Sequence, residues 1–305
     1  MRRVLVAGAS GYIGSALVPY LCQLPEEFEV TAIDVGNLTV FRDACRFKNL
    51  KIAKVDCTNE VQLAPFIHDA DVIYWLVGAT SGSREFMQKV NADAALMLSQ
   101  MLWPTQTVVF PMTNAGYVPV DGIAKEDMLM IGRTDYSYTK IQAEKALMAT
   151  GQCVSFRLAA VYGPAPVIRW ETLLNFMVLQ AALKNTYQLY EPDAARDVIY
   201  MQDLMQRLVL PLVRDLRGEI FNLSGQSMSK LGFAQLVSSQ TEFKIVYGAG
   251  VDTEKRDYIV SEEKIRREFP YLKTTPASVG IAATLKAARL EICSHDHGIS
   301  RSRAG

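Results

Sequence analysis

The stretch VLVAGASGYIGSALVPYL, residues 4–21, changes character midway. It begins as an apolar β-rich run and ends with apolar residues at helical spacing, and Gly8, Gly11 and Gly14 lie at the join. A glycine-rich strand-to-helix turn lets the backbone approach a pyrophosphate, whose charge then sits against free N–H groups and the positive dipole end of the helix. The spacing is GxxGxxG, with Tyr12 and Ile13 between the last two glycines, rather than the commoner GxGxxG. Such a turn also serves tight packing alone, so its meaning depends on its surroundings.

Working outward, "RVLVAG", "EVTAID", "LKIAKVD", "DVIYWLVG", "TVVFPMT" and "CVSFRLAAVYG" alternate with segments of helical spacing. The runs are nearly continuous in apolar residues, as strands buried on both faces are. An α/β fold is predicted, a doubly wound parallel sheet of the Rossmann kind over residues 1–164, with some later segments returning to it. After "YGPAP" the pattern loosens into a helical "ETLLNFMVLQAALKN", an isolated strand "GEIFNLSG", another in "FKIVYG" and a last helix near 275–290. These make residues 165–292 mainly a smaller substrate-binding lobe, and the polar segment 293–305 is expected to be a weakly ordered, flexible tail.

Half of the 305 residues are hydrophobic, enough for a sizeable core, and 32 acidic residues balance 32 basic ones without a long like-charge run. Neither a nucleic acid nor a membrane surface is an expected partner. Cys22, Cys45, Cys57, Cys153 and Cys293 show no CxxC spacing, which suits reduced thiols. No apolar stretch approaches about 18 residues and no cleavable leader precedes "RRVLVAGAS", so a cytoplasmic protein is expected.

Asp34 ends the second strand, twenty residues after Gly14, where a carboxylate can accept hydrogen bonds from an adenosine ribose. It would repel a 2′-phosphate, and no arginine follows immediately, so NAD is favoured over NADP. Asp34 can equally cap a turn before Gly36. Asp56, followed by Cys57, closes the third strand; it can reach an adenine edge or simply start a helix.

In "YSYTK", residues 136–140, positions four apart share a helix face, so Tyr136 lies beside Lys140 while Tyr138 points elsewhere. A lysine ammonium beside a phenol favours the phenolate, which turns a weak acid into a proton shuttle. The ordinary reading of YxxxK is an exposed helix with a surface tyrosine. Upstream, Thr113 ends a buried strand, at the sheet edge where ligands bind, and its hydroxyl can hydrogen-bond the oxygen that the tyrosine deprotonates.

Taken in order, "GASGYIG", Asp34, Asp56, "LVGAT", "VNADAALML", "TNAGY", "YSYTK", "RLAAVYGP" and "RDVIYMQDL" resemble the extended short-chain dehydrogenases/reductases, the group of UDP-glucose 4-epimerase and related nucleotide-sugar enzymes. The resemblance covers roughly residues 3 to 290. It implies a catalytic set of Thr113, Tyr136 and Lys140, with Lys140 also holding the nicotinamide ribose. It further implies that Val77, Gly78 and Ala79 line the cofactor and that Asn91 supports the site. Arg196 stands where many members hold the substrate diphosphate, although an ion pair with Asp193 or Asp197 would also explain it. Arg256 looks like a second diphosphate ligand on a looser match.

Two departures matter. Ala160 replaces an asparagine that many members carry before "VYGP". Asn114 and Ala115 follow Thr113 where sugar 4,6-dehydratases usually place acidic residues, which disfavours a dehydratase and leaves Asn114 as a substrate contact. The expected function is an NAD-dependent nucleotide-sugar epimerase working as a homodimer. A 4-ketoreductase or dehydrogenase of the same fold is the alternative, and a non-catalytic NAD-sensing module is a third reading. Cys293, His295 and His297 are metal ligands by type but lack a complete set, so no metal is expected. His68 reads as a structural helix-end residue, Trp75 as core and "NFMVLQAAL" as a packing or dimer helix.

Overall fold

Val4 and Val6 of the first strand face one apolar layer while Leu5 and Ala7 face another, and all four are buried. Burial on both faces is what the continuous apolar runs require. The computed structural model describes residues 1–24, 28–41, 47–117, 122–250 and 259–302, with 295–302 described by backbone alone.

The elements run β1 (Arg2–Ala7), α1 (Tyr12–Cys22), β2 (Phe28–Asp34), β3 (Leu50–Lys54), α2 (Glu60–Asp69), β4 (Val72–Trp75), α3 (Arg84–Met87) and, after a π-helical turn at Gln88–Asp93, α4 (Ala94–Met101). Then come β5 (Thr107–Thr113), β6 (Ile123–Ala124), α5 (Asp135–Met148), β7 (Cys153–Leu158), β8 (Ala160–Tyr162), α6 (Leu173–Ala182) and β9 (Thr186–Leu189). The remainder is β10 (Ala195–Tyr200), α7 (Met201–Leu208), α8 (Leu210–Val213), β11 (Ile220–Leu223), β12 (Gln226–Ser229), α9 (Lys230–Ser238), β13 (Lys244–Tyr247), β14 (Ile259–Val260), α10 (Glu263–Glu268) and α11 (Ala277–Ser302).

Seven strands pair in the order β11-β7-β5-β4-β1-β2-β3, all parallel. The chain leaves β1 toward β3, then returns to β4 on the other side, so the order reverses between β1 and β4. A crevice outside the carboxyl ends of these strands is where such sheets bind ligands.

Two features differ from the sequence reading, and both are decided by strand pairing. "GEIFNLSG" is not isolated, because β11 closes the main sheet against β7, in register from Ile220 opposite Ser155. "CVSFRLAAVYG" is not one strand: the chain breaks between Leu158 and Ala160, and β8 joins β10 and β12 in a second sheet. The last helix runs past Cys293 to Ser302, into the segment expected to be a weakly ordered tail. Around the second sheet α6, α9 and α11 bury a third apolar cluster that includes Met177, Phe233 and Ile281, so "NFMVLQAAL" is a packing helix. Trp75 is fully buried, and His68 lies in the last turn of α2 with its ring edge-on to Trp103.

A buried ion pair fastens α5 to the main sheet. Arg157 of β7 donates from Nε to Glu144 Oε1 at 3.0 Å and from a terminal nitrogen to Oε2 at 2.9 Å, and Ser155 Oγ also donates to Glu144. Arg157 further donates to the Tyr117 hydroxyl at 2.8 Å, which donates to Asn222 of β11 at 2.8 Å. Removing one partner strands a buried charge, so Glu144→Ala is expected to lower the unfolding free energy by about 3–5 kcal/mol in urea denaturation. The double variant Glu144→Leu/Arg157→Met should lose less than Glu144→Ala, because no unpaired charge remains.

Candidate active site

A cavity of about 1100 Å³ opens at the carboxyl edge of the main sheet, lined by the glycine turn, α5 and the second sheet. Gly8, Gly11 and Gly14 all reach it, with Tyr12 and Ile13. Gly8 has φ +83°, and a Cβ there would lie 2.7 Å from the Leu76 carbonyl carbon; a Cβ at Gly14 would lie 2.4 Å from the Gly8 oxygen. The turn therefore packs too closely for side chains. Gly11 caps α1 without a side-chain hydrogen bond, which leaves first-turn N–H groups directed outward. The Tyr12 hydroxyl donates to Gly163 O at 2.7 Å and accepts from Asn175 at 3.0 Å, joining the turn to the loop after β8.

Asp34 stands beside the turn. One carboxylate oxygen accepts from Ser10 N and the other from Gly36 N, both at 2.8 Å, so it braces the glycine turn as well as capping its own. Asp56 does not line the cavity: one of its oxygens accepts both the N–H and the hydroxyl of Thr58 at 2.8 Å, and these bonds hold its carboxyl below the ordinary range. Asn59, rather than Asp56, caps α2. Cys57 is buried nearby, and that burial pushes its thiol up to about 12, helped by Asp34 and Asp56.

After β4, Gly78 lines the cavity, Val77 packs against the core, and Ala79 is gripped by a side chain. Asn91, fully buried in the π-helical turn, accepts from Ala79 N at 2.7 Å and donates to Ala79 O at 2.9 Å. It also donates to Thr139 Oγ1 at 2.9 Å. One amide thus ties the wall after β4 to the residue preceding Lys140.

Thr113, Tyr136 and Lys140 line the same cavity, while Tyr138 is 44% exposed and does not. A reciprocal cap between Thr134 and Ser137 fixes the start of α5, so Tyr136 falls in its first turn and Lys140 one turn on. Lys140 is buried, its ammonium 4.1 Å from the centre of the Phe110 ring and 4.0 Å from where a Gly78 Cβ would stand. Thr113 Oγ1 accepts from Ala115 N at 3.1 Å, and Asn114, Ala115 and Ala160 border the same space.

On the wall built by the second sheet, Arg196 has Glu191 as its described carboxylate partner, at 4.0 Å, rather than Asp193 or Asp197. Asp197 instead accepts from Ser227 and from Val260 N, and burial pushes its carboxyl up to about 6. Arg256 lies outside the described residues. Among the cavity residues that escaped the sequence reading are two cations. Arg169 donates to Thr80 Oγ1 at 2.9 Å across the cavity wall, with no signal beyond its charge in a loop. Lys230 did have one: with Phe233, Ala234 and Val237 it shares the inward stripe of α9, so a lysine occupies a core-facing position.

A model of the NAD dependent epimerase/dehydratase family matches residues 4–224. Among solved structures, the chain is similar to dTDP-glucose 4,6-dehydratase from Bacillus anthracis in complex with NAD, at 22% identity over 94% of this chain and 96% of that one, with a TM-score of 0.81. It is also similar to UDP-glucuronic acid 4-epimerase from Bacillus cereus in complex with NAD, at 20% identity over 94% and 99%, with a TM-score of 0.80. Pal from Bacillus thuringiensis gives 18% identity over 95% and 99%, and a TM-score of 0.84. The close-packed glycine turn, the N-terminus of α1 and the braced Asp34 fit NAD.

Burial pushes the Lys140 ammonium down to about 8, with Glu144 opposing the shift. The unfolded chain, at about 10.4, then holds this proton where the folded protein has released it. Lys140 therefore favours folding increasingly as pH rises from about 8 to about 10.4, and that contribution is lost as pH falls through 8. In thermal unfolding without cofactor, the melting temperature of the wild type relative to Lys140→Met should climb from about pH 7 to about pH 10. A constant difference would count against this burial.

Proposed function

The chain belongs to the NAD dependent epimerase/dehydratase family, and from that premise we propose that it is an NAD-dependent epimerase of a nucleotide-activated sugar. The observation that carries the reading is the meeting of Thr113, from the end of β5, with Tyr136 and Lys140, from the first turns of α5, in the cavity that the glycine turn borders.

Tyr136 is the acid/base: its phenol takes the proton of a sugar hydroxyl and later returns it. Thr113 Oγ1 orients that hydroxyl. Lys140, desolvated against Phe110 and one helical turn from Tyr136, would supply positive charge that favours the phenolate and would hold the nicotinamide ribose. NAD, when bound, would supply a reversible hydride acceptor for the hydroxyl-bearing carbon, and return of the hydride to the opposite face of the resulting ketone would invert that carbon. Asn91 keeps the cofactor wall and α5 in register by bonding to Ala79 and Thr139. Arg196 holds the phosphates.

Asn114 and Ala115 beside Thr113 offer no carboxylate to move protons on neighbouring carbons. Hydride departure and return is then the least demanding chemistry for this site, and it requires the same hydrogen to leave and rejoin one carbon. With a panel of nucleotide sugars deuterated at the reacting carbon, the label is expected to stay in the epimerised product without accumulation of free NADH. Stoichiometric NADH release, or label lost to added NADH, would make the protein a reductase or dehydrogenase instead.

A further inference from the structure

The crevice between β1 and β4 has two banks, the glycine turn leading into α1 and the loop after β4, and a third segment touches both. Residues 163–172, between β8 and α6, are bonded first to the α1 bank. The Tyr12 hydroxyl donates to Gly163 O at 2.7 Å, and Val167 N donates to Ser15 Oγ at 3.2 Å. Asn175, fully buried, accepts from Gly163 N at 3.0 Å and donates to both the Tyr12 hydroxyl and Arg169 O at 3.0 Å. The backbone of the segment is therefore held as far as residue 169, and Trp170 adds a bond to Glu291 of α11 at 3.2 Å.

At the β4 bank the attachment is of a different kind. The Arg169 side chain, 42% exposed, donates to Thr80 Oγ1 at 2.9 Å, and both residues line the cavity together with Tyr12, Ile13 and Gly78. Glu171 lies 4.0 Å from Arg169 Nε and is itself 80% exposed, so solvent screens that pair, and it is the terminal nitrogen that meets Thr80. A single bond to a hydroxyl, made by a long side chain that gives up rotamer freedom to hold it, is weak in net terms. The backbone is thus built in, while the guanidinium is held across the cavity wall by a bond that opens readily.

We propose that Arg169 and Thr80 form a side-chain clasp across the mouth of the dinucleotide crevice, and that Arg169 is thereby a positioning residue that slows the exchange of NAD. This deepens the epimerase reading and rests on it for its purpose, since one coenzyme must stay through the departure and return of a hydride, while the clasp itself is tested without a sugar. A clasp differs from a ligand in its kinetics. A side chain that bridges the two banks obstructs entry and exit alike, whereas one that binds the coenzyme slows exit alone.

The test is stopped-flow exchange of the full chain between NAD and its fluorescent ethenoadenine analogue, which gives association and dissociation rates separately. Arg169→Ala and Thr80→Val are each expected to raise both rates by about three- to tenfold, the factor of one net hydrogen bond, with Kd within about threefold of wild type. The double variant should be no faster than either single one, because both substitutions remove the same bond. Thr80→Ser, which keeps the hydroxyl, should exchange at the wild-type rate. Unchanged rates in either Arg169→Ala or Thr80→Val would overturn the clasp. Faster dissociation with association unaltered would overturn it too, and would make Arg169 a direct ligand of the coenzyme. A failed epimerase assay alongside the expected rates would remove the proposed reaction alone, and normal epimerisation with unaltered exchange would remove the clasp alone.

Discussion

The buried contact between Glu144 and Arg157 sets where α5 lies, and the position of α5 sets the chemistry. Two side chains, both nearly inaccessible to solvent, form two hydrogen bonds across the helix–sheet boundary, and Ser155 of β7 adds a third to Glu144. Such a pair contributes little net stability compared with well-packed apolar residues. Its geometry is nonetheless restrictive, because the planar guanidinium meets the carboxylate through two nitrogens and is held by Tyr117 and Glu126 O as well. A rotation of α5 would break several of these bonds together. Tyr136 and Lys140 inherit that register, and the reciprocal cap at Thr134 and Ser137 fixes where the helix begins.

From this anchor the site extends in two directions. Toward the switch between β1 and β4, Asn91 carries the register of α5 to Ala79, and Gly8 lets the wall after β4 approach the glycine turn. Toward the second sheet, the break between Leu158 and Ala160 redirects the chain so that β8 pairs with β10, which carries Arg196. The cavity thus has a wall from each sheet. Cations stand at both: Lys140 under Phe110 and Lys230 over Tyr190, each against an aromatic ring that offsets part of its lost hydration.

Most of the fold was legible because its signals are local. Continuous apolar runs, glycines at a turn and a four-residue spacing each act within one element, and the parallel sheet, the glycine turn and the shared face of Tyr136 and Lys140 follow from them. What was not legible depends on partners distant in sequence. The place of β11 is decided by its edge beside β7, which no pattern inside "GEIFNLSG" announces. Glu144 and Arg157 look like ordinary charged residues until β7 lies under α5. Lys230 is intermediate, since its inward helical position was readable but its ion pair with Glu191 was not.

Tyr136, and not its neighbour, is proposed as the working acid/base of this cavity. The most direct measurement is steady-state turnover of an epimerised nucleotide sugar by Tyr136→Phe and Tyr138→Phe, together with NAD affinity for each. Tyr136→Phe is expected to reduce turnover by about 10²–10⁴-fold, the usual contribution of a positioned proton-transfer group, with NAD affinity within a few fold, and Tyr138→Phe to remain close to wild type. Greater damage from Tyr138→Phe, or near-normal turnover by Tyr136→Phe, would contradict the account.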